Sequence, residues 1–105
     1  MTWFKRRADG VVDAAHFNSD GSLAWVRAYE RRGPTWSDRV LLDRPALVQR
    51  LQQGRRFYLG KRRTYHASEF DLEQPIRLVK GRQGLFVVLG KDGADQDRLE
   101  GVPVV

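Results

Sequence analysis

No uninterrupted apolar run in this chain is longer than five residues, at 85–89, and clusters of glycine, proline, asparagine and aspartate break the sequence at short intervals. Such punctuation leaves room for short strands and turns. A membrane-spanning helix needs roughly 20 consecutive apolar residues, so membrane insertion is not expected. Residues 11–17 read as a first strand, and Asn18-Ser19-Asp20-Gly21 as a tight turn whose glycine takes positive φ. In a second strand, 22–30, Leu23, Trp25, Arg27 and Tyr29 alternate with Ala24, Val26, Ala28 and Glu30. One face is therefore large and amphipathic and the other small and mostly apolar, and either suits a core. Arg31-Arg32-Gly33-Pro34 ends this strand, and 38–42 reads as a short third one entered from Trp36.

The clearest helix signal is Asp43-Arg44-Pro45-Ala46. Asp43 suits an N-cap, and Pro45 falls in the first turn, where no amide hydrogen is needed. Leu47, Val48 and Leu51 form an apolar stripe, and Gly54 stands at the left-handed stop position, which predicts a helix over about 44–53. Residues 56–59 read as a strand, and Gly60-Lys61-Arg62-Arg63 as the start of a polar connection running to about Ser68. A short strand is expected at 70–72, Pro75 limits pairing, and 76–79 with 85–89 form a hairpin around Gly81-Arg82-Gln83-Gly84. The stretch 90–97 reads as an acidic loop, and 99–105 as either a weak edge strand or a disordered end.

The resulting order, β-β-β-α-β-(β)-β-β, is mostly β (α+β). It predicts a small curled sheet or barrel, OB-like or SH3-like, of five to seven short strands with one short helix near residues 44–53. At 105 residues and 41% hydrophobic content the chain can bury one core. A single domain over 1–105 is expected, with 1–9 a flexible basic arm and 90–105 a loose tail. The start has basic residues but neither the apolar segment nor the cleavage site of a secretion signal. Zero cysteine excludes a disulfide framework and thiolate zinc sites, so the expected location is cytoplasmic.

The formal net charge is +6, and its distribution is uneven. Residues 1–63 hold 14 Lys and Arg against 6 Asp and Glu, a net of +8, whereas 64–105 hold 5 against 7, a net of −2. Fifteen of the nineteen basic residues are arginine, whose guanidinium binds phosphate or carboxylate bidentately and stacks on flat rings. The most suggestive stretch is Arg55-Arg56-Phe57-Tyr58-Leu59-Gly60-Lys61-Arg62-Arg63. If Phe57 and Leu59 enter the core, alternation presents Arg56 and Tyr58 outward together, a pairing suited to stacking a base beside its phosphate. A charged edge strand protected from aggregation has the same composition. Lys5-Arg6-Arg7 and Arg31-Arg32 are further basic clusters near Trp3, Phe4, Tyr29 and Trp36.

Other motifs carry less chemistry. The G-x-x-G spacing at 81–84 lies between strand signals and reads as a hairpin turn rather than an RNA clamp. Asp92, Asp95, Asp97 and Glu100 lack calcium-loop register and read as a solvated acidic loop. His16 sits in a strand, and His66 near Ser68, Glu69 and Asp71 has no fixed partner; Glu69 and Glu73 are likewise without one. No enzyme, cofactor or metal site is expected. The favoured reading is a non-enzymatic nucleic-acid or polyanion-binding module using Arg31, Arg32, Arg55, Arg56, Tyr58, Lys61, Arg62 and Arg63. The alternative is a protein-interaction or assembly module in which Trp25, Trp36 and Tyr58 contact an acidic partner.

Overall fold

The computed structural model describes residues 8–63, 66–81, 84–89, 97, 99 and 101–105, with the side chains of 62, 63 and 66–69 left undescribed. The chain runs β1 (Gly10–Phe17), β2 (Leu23–Arg32), β3 (Thr35–Trp36), β4 (Val40–Asp43), α1 (Arg44–Gln52), β5 (Phe57–Arg63), β6 (His66–Gly81) and β7 (Gly84–Leu89). These strands form one sheet in the order β3-β2-β1-β5-β6-β7, with β4 also paired to β2. The sheet is a curled, open half-barrel, so of the expected forms it is the curled sheet. Neighbours pair antiparallel except β1 and β5, which run parallel from Gly10↔Phe57 to Val12↔Leu59.

Register decides which face is buried against the helix. Ala28, Val12 and Leu59 lie in one cross-strand row, and Gly10, Phe57, Ile76 and Leu89 in another on the same face. With the exception of Gly10, these residues belong to the core cluster, which Leu47 of α1 also joins. The small face of β2 is thus the core face. A Cβ on Gly10 would come within 2.3 Å of the Phe57 ring, so the glycine is where the ring lies across its neighbour strand. The helix starts as its sequence requires: the Asp43 carboxylate accepts the Ala46 amide at 2.9 Å, and Pro45 occupies the first turn.

The opposite face is covered as well. Val11 is fully buried there and Tyr29 is 3% exposed. Phe70 of β6 covers Tyr29, its ring packing 5.1 Å from Tyr29 and 4.7 Å from Trp36. The β5–β6 hairpin creases at Gly60, where the pairing steps from Tyr58↔Pro75 to Gly60↔Leu72. An added Cβ at Gly60 would sit 2.6 Å from the Asp71 carbonyl oxygen and 3.1 Å from Val11 Cγ1. The close approach of two backbones therefore needs glycine.

Several element boundaries differ from those expected. Residues 60–63 continue β5 instead of opening a loop, and 66–81 form one 16-residue strand where two short ones were expected. Pro75 is accommodated because it lies at the register shift, where one residue of β5 faces a bulge. The third strand appears at Val40–Asp43, with Thr35–Trp36 as a separate short pairing. Between them, Ser37 leaves the ladder after exchanging hydrogen bonds with Glu30.

The described residues near the C-terminal end pack against this frame. Leu99 and Val102 join the core, and Val104 bridges Ala15 in parallel. Asp97, expected in a solvated acidic loop, is instead 5% exposed. Its carboxylate accepts Arg44 Nε at 2.8 Å and Nη2 at 3.0 Å, and the amides of Leu23 and Val87 at 2.8 and 2.9 Å. Arg44 Nη2 also donates to the Leu85 carbonyl. This pair joins the start of α1 to β7. Burial pushes the Asp97 carboxyl up, but hydrogen bonds from Arg44, Val87 and Leu23 more than offset it and hold it below its ordinary value. At the inner end of the expected arm, Ala8 is buried and Asp9 exchanges backbone and side-chain hydrogen bonds with Arg56.

Candidate functional site

The fold gathers basic side chains from three separate stretches at one end. Arg31 and Arg32 end β2, Arg50 lies in the last turn of α1, and Arg55 follows the turn after the helix. Gly54, at φ 85°, makes that turn possible, and its amide closes on the Leu51 carbonyl at 3.1 Å. Together with Glu30 and Gly33, these four arginines line a concavity of about 430 Å³. Four guanidiniums against one carboxylate leave a surplus of three positive charges.

Two of these guanidiniums are held in place. Arg50 Nε donates to Glu30 Oε1 at 2.7 Å, which neutralises the buried carboxylate. The Arg31 guanidinium lies 4.5 Å from the Trp36 ring centroid while its Nε donates to the Ala8 carbonyl at 3.0 Å. Stacking and one hydrogen bond fix the plane and leave its terminal nitrogens available to a ligand. By contrast, Arg32, Arg55 and Arg56 have no carboxylate in salt-bridge reach among the described residues. The ion-paired carboxylates engage other guanidiniums: Asp13 holds Arg27 and approaches Arg39, Asp97 holds Arg44, and Glu30 holds Arg50.

A second concavity of about 460 Å³ adjoins the first through Arg55, which lines both. Its lining includes Leu51, Tyr58, Pro75 and Leu78 with Arg56 and Arg77. Phe57 is buried and Leu59 is 3% exposed, so the condition for presenting Arg56 and Tyr58 together is met. The cross-strand pair Tyr58↔Pro75 places a ring beside a proline in this cleft. The arrangement offers an aromatic residue and a proline flanked by positive charge.

Of the residues expected at the site, Arg31, Arg32, Arg55, Arg56 and Tyr58 therefore line two adjoining clefts. Lys61, Arg62 and Arg63 lie beyond the Gly60 crease, on the part of β5 that pairs with 66–71. Lys61 is exposed opposite Asp71, and the side chains of Arg62 and Arg63 are outside the described residues. Arg50 was not anticipated, although a basic residue in the last helical turn, four before Gly54, is a visible signal. Arg77 belongs to a strand distant in sequence, which nothing local connects to Tyr58.

The remaining candidates divide as follows. Lys5-Arg6-Arg7, Trp3, Phe4, Arg82, Gln83, Asp92, Asp95 and Glu100 lie outside the described residues. Gly81 and Gly84 pair with one another at the ends of β6 and β7. His16 stacks on Trp25 at 5.2 Å and its Nδ1 lies 2.6 Å from the Val105 carbonyl oxygen. Trp25 and Trp36 are both half-buried in contacts within the chain. Among the described residues no three His, Cys, Asp or Glu side chains gather as a metal site would need, and no helix is long and apolar enough to cross a membrane. No protein-family model, curated protein or solved structure matches the chain.

Proposed function

We propose that this chain is a non-enzymatic, cytoplasmic binding module for a polyanion, with nucleic acid as the natural candidate. The observation that carries the reading is the convergence of Arg31, Arg32, Arg50 and Arg55 on one concavity. A concave surface with surplus positive charge concentrates anions and steers their approach. Guanidiniums already fixed by stacking or ion pairing lose less freedom when they bind a phosphate.

The test is fluorescence anisotropy of labelled oligonucleotides against nuclease-treated protein at low and near-physiological salt. Binding is expected to weaken linearly in log–log form as salt rises, because each neutralised phosphate releases counterions. Reversing charge at Arg32 and Arg55 together is expected to weaken binding by at least tenfold. The same double variant is expected to reduce the salt slope by about 0.7 per lost contact on single strands. Wild-type protein that binds no oligonucleotide, or binding untouched by both reversals, overturns the reading.

A further inference from the structure

Resting on that reading, we infer that the ligand is an unpaired strand, with one base seated against Tyr58 in the second cleft and a neighbouring phosphate on Arg31, Arg32 and Arg55. Three observations lead there. The two clefts adjoin at Arg55, so a charge site and a site lined by an aromatic residue are presented side by side. The lining of the second cleft includes the cross-strand pair Tyr58 and Pro75, which suit the face of a planar ring, with Arg55 and Arg56 beside them. Its volume of about 460 Å³ falls within the range of small-ligand pockets, roughly 300–1,000 Å³.

A duplex fits this surface poorly. Readers of duplex DNA insert a projecting helix or β-ribbon into a groove, whereas the arginines here line hollows. Base pairing also hides the faces of the bases, and extruding one costs energy that an unpaired strand does not spend. Recognition through stacking tolerates any base, since each has a π-face. The geometry thus assigns a strand-state preference and no base sequence.

The experiment compares a labelled single strand carrying 2-aminopurine with a closed hairpin duplex of the same sequence. Four proteins are titrated: wild type, Tyr58→Leu, Tyr58→Phe and Arg32→Glu. Leucine keeps apolar volume on the strand and removes the ring; phenylalanine keeps the ring and controls for loss of fold. Stacking on an aromatic side chain is worth roughly 5- to 150-fold in affinity per base. Wild type is expected to bind the single strand more tightly and to quench the 2-aminopurine. Tyr58→Leu should lose about tenfold on the single strand, abolish the quench and leave duplex affinity and salt slope in place, with Tyr58→Phe retaining both signals. Arg32→Glu should weaken both ligands alike.

Equal affinity for strand and hairpin, or an unchanged quench in Tyr58→Leu, overturns the inference while Arg32→Glu still weakens binding. Absence of binding by wild-type protein overturns the parent reading instead.

Discussion

Asp97 shows how much one side chain can be asked to hold. Its carboxylate, nearly out of water, receives two hydrogen bonds from Arg44 and one each from the Leu23 and Val87 amides. Removing it would leave the half-buried Arg44 guanidinium and two amides without their acceptor, and breaking a fully buried pair, about 3–5 kcal/mol, sets the upper bound on the cost. Asp97→Asn is expected to lower the urea midpoint strongly at neutral pH, since an amide can accept at only one of its two heavy atoms. The pH dependence follows from the direction of the shift. A carboxyl held below its unfolded value of 3.8 contributes stability that is present above that value and lost as pH falls through the folded one. Midpoints measured between pH 6 and pH 2 should therefore fall further for wild type than for Asp97→Asn, and parallel curves would refute this. That Asp97 is taken inside could not be read from the sequence, because it stands in a polar stretch with Asp92 and Asp95 and its partners, Arg44 and the Leu23 and Val87 amides, lie elsewhere in the chain.

At the scale of elements, the β5–β6 hairpin is the part that reasoning from sequence misread most, and the reasons are physical. Helix α1 was legible because its cap, proline and stop glycine are local signals. So was the β1–β2 hairpin, with its alternation and its turn at 18–21. The hairpin arm instead reads as polar, because its outer positions are solvated. What makes it a strand is pairing across the crease and the landing of Phe70 on Tyr29 and Trp36. The Phe70 contacts join residues 41 and 34 positions apart. The crease itself is testable. Gly60→Ala forces a methyl group against the Asp71 carbonyl at 2.6 Å, an overpacking expected to cost about 1–3 kcal/mol. Thermal unfolding of the variant should begin at lower temperature, and Val11 amide exchange should quicken as its cover loosens. A variant as stable as wild type would show that the crease relaxes freely.

On the scale of the whole molecule, one cluster of buried residues takes members from β1, β2, β4, α1, β5, β6, β7 and the segment carrying Leu99 and Val102. A core shared this widely predicts a single cooperative transition, in which tryptophan fluorescence and far-ultraviolet circular dichroism coincide during urea unfolding. Separate midpoints would mean that the arm or the final segment melts alone. The candidate site was half legible for the same reason that the core is shared. Arg55, Arg56 and Tyr58 are neighbours in sequence, and alternation predicted how they are presented. Their union with Arg31 and Arg32, and the addition of Arg50 and Arg77, depends on parallel pairing of β1 with β5 and on the helix between them. No local pattern encodes that meeting.

The flank of β1 also has a consequence in time. Its first half is sheathed by β5, but on that same side Ala15 is paired with Val104, and the Leu23 amide donates to Asp97. A ribosome adding about 5–20 residues per second makes the wait between Ala15 and Val104 on the order of 4–18 s. During that interval the β1–β2 hairpin holds apolar residues whose cover is incomplete until Leu99 and Val102 join the cluster. Completion of this fold therefore waits on residues 97–105, and the emerging chain is most prone to aggregate in the seconds before they arrive.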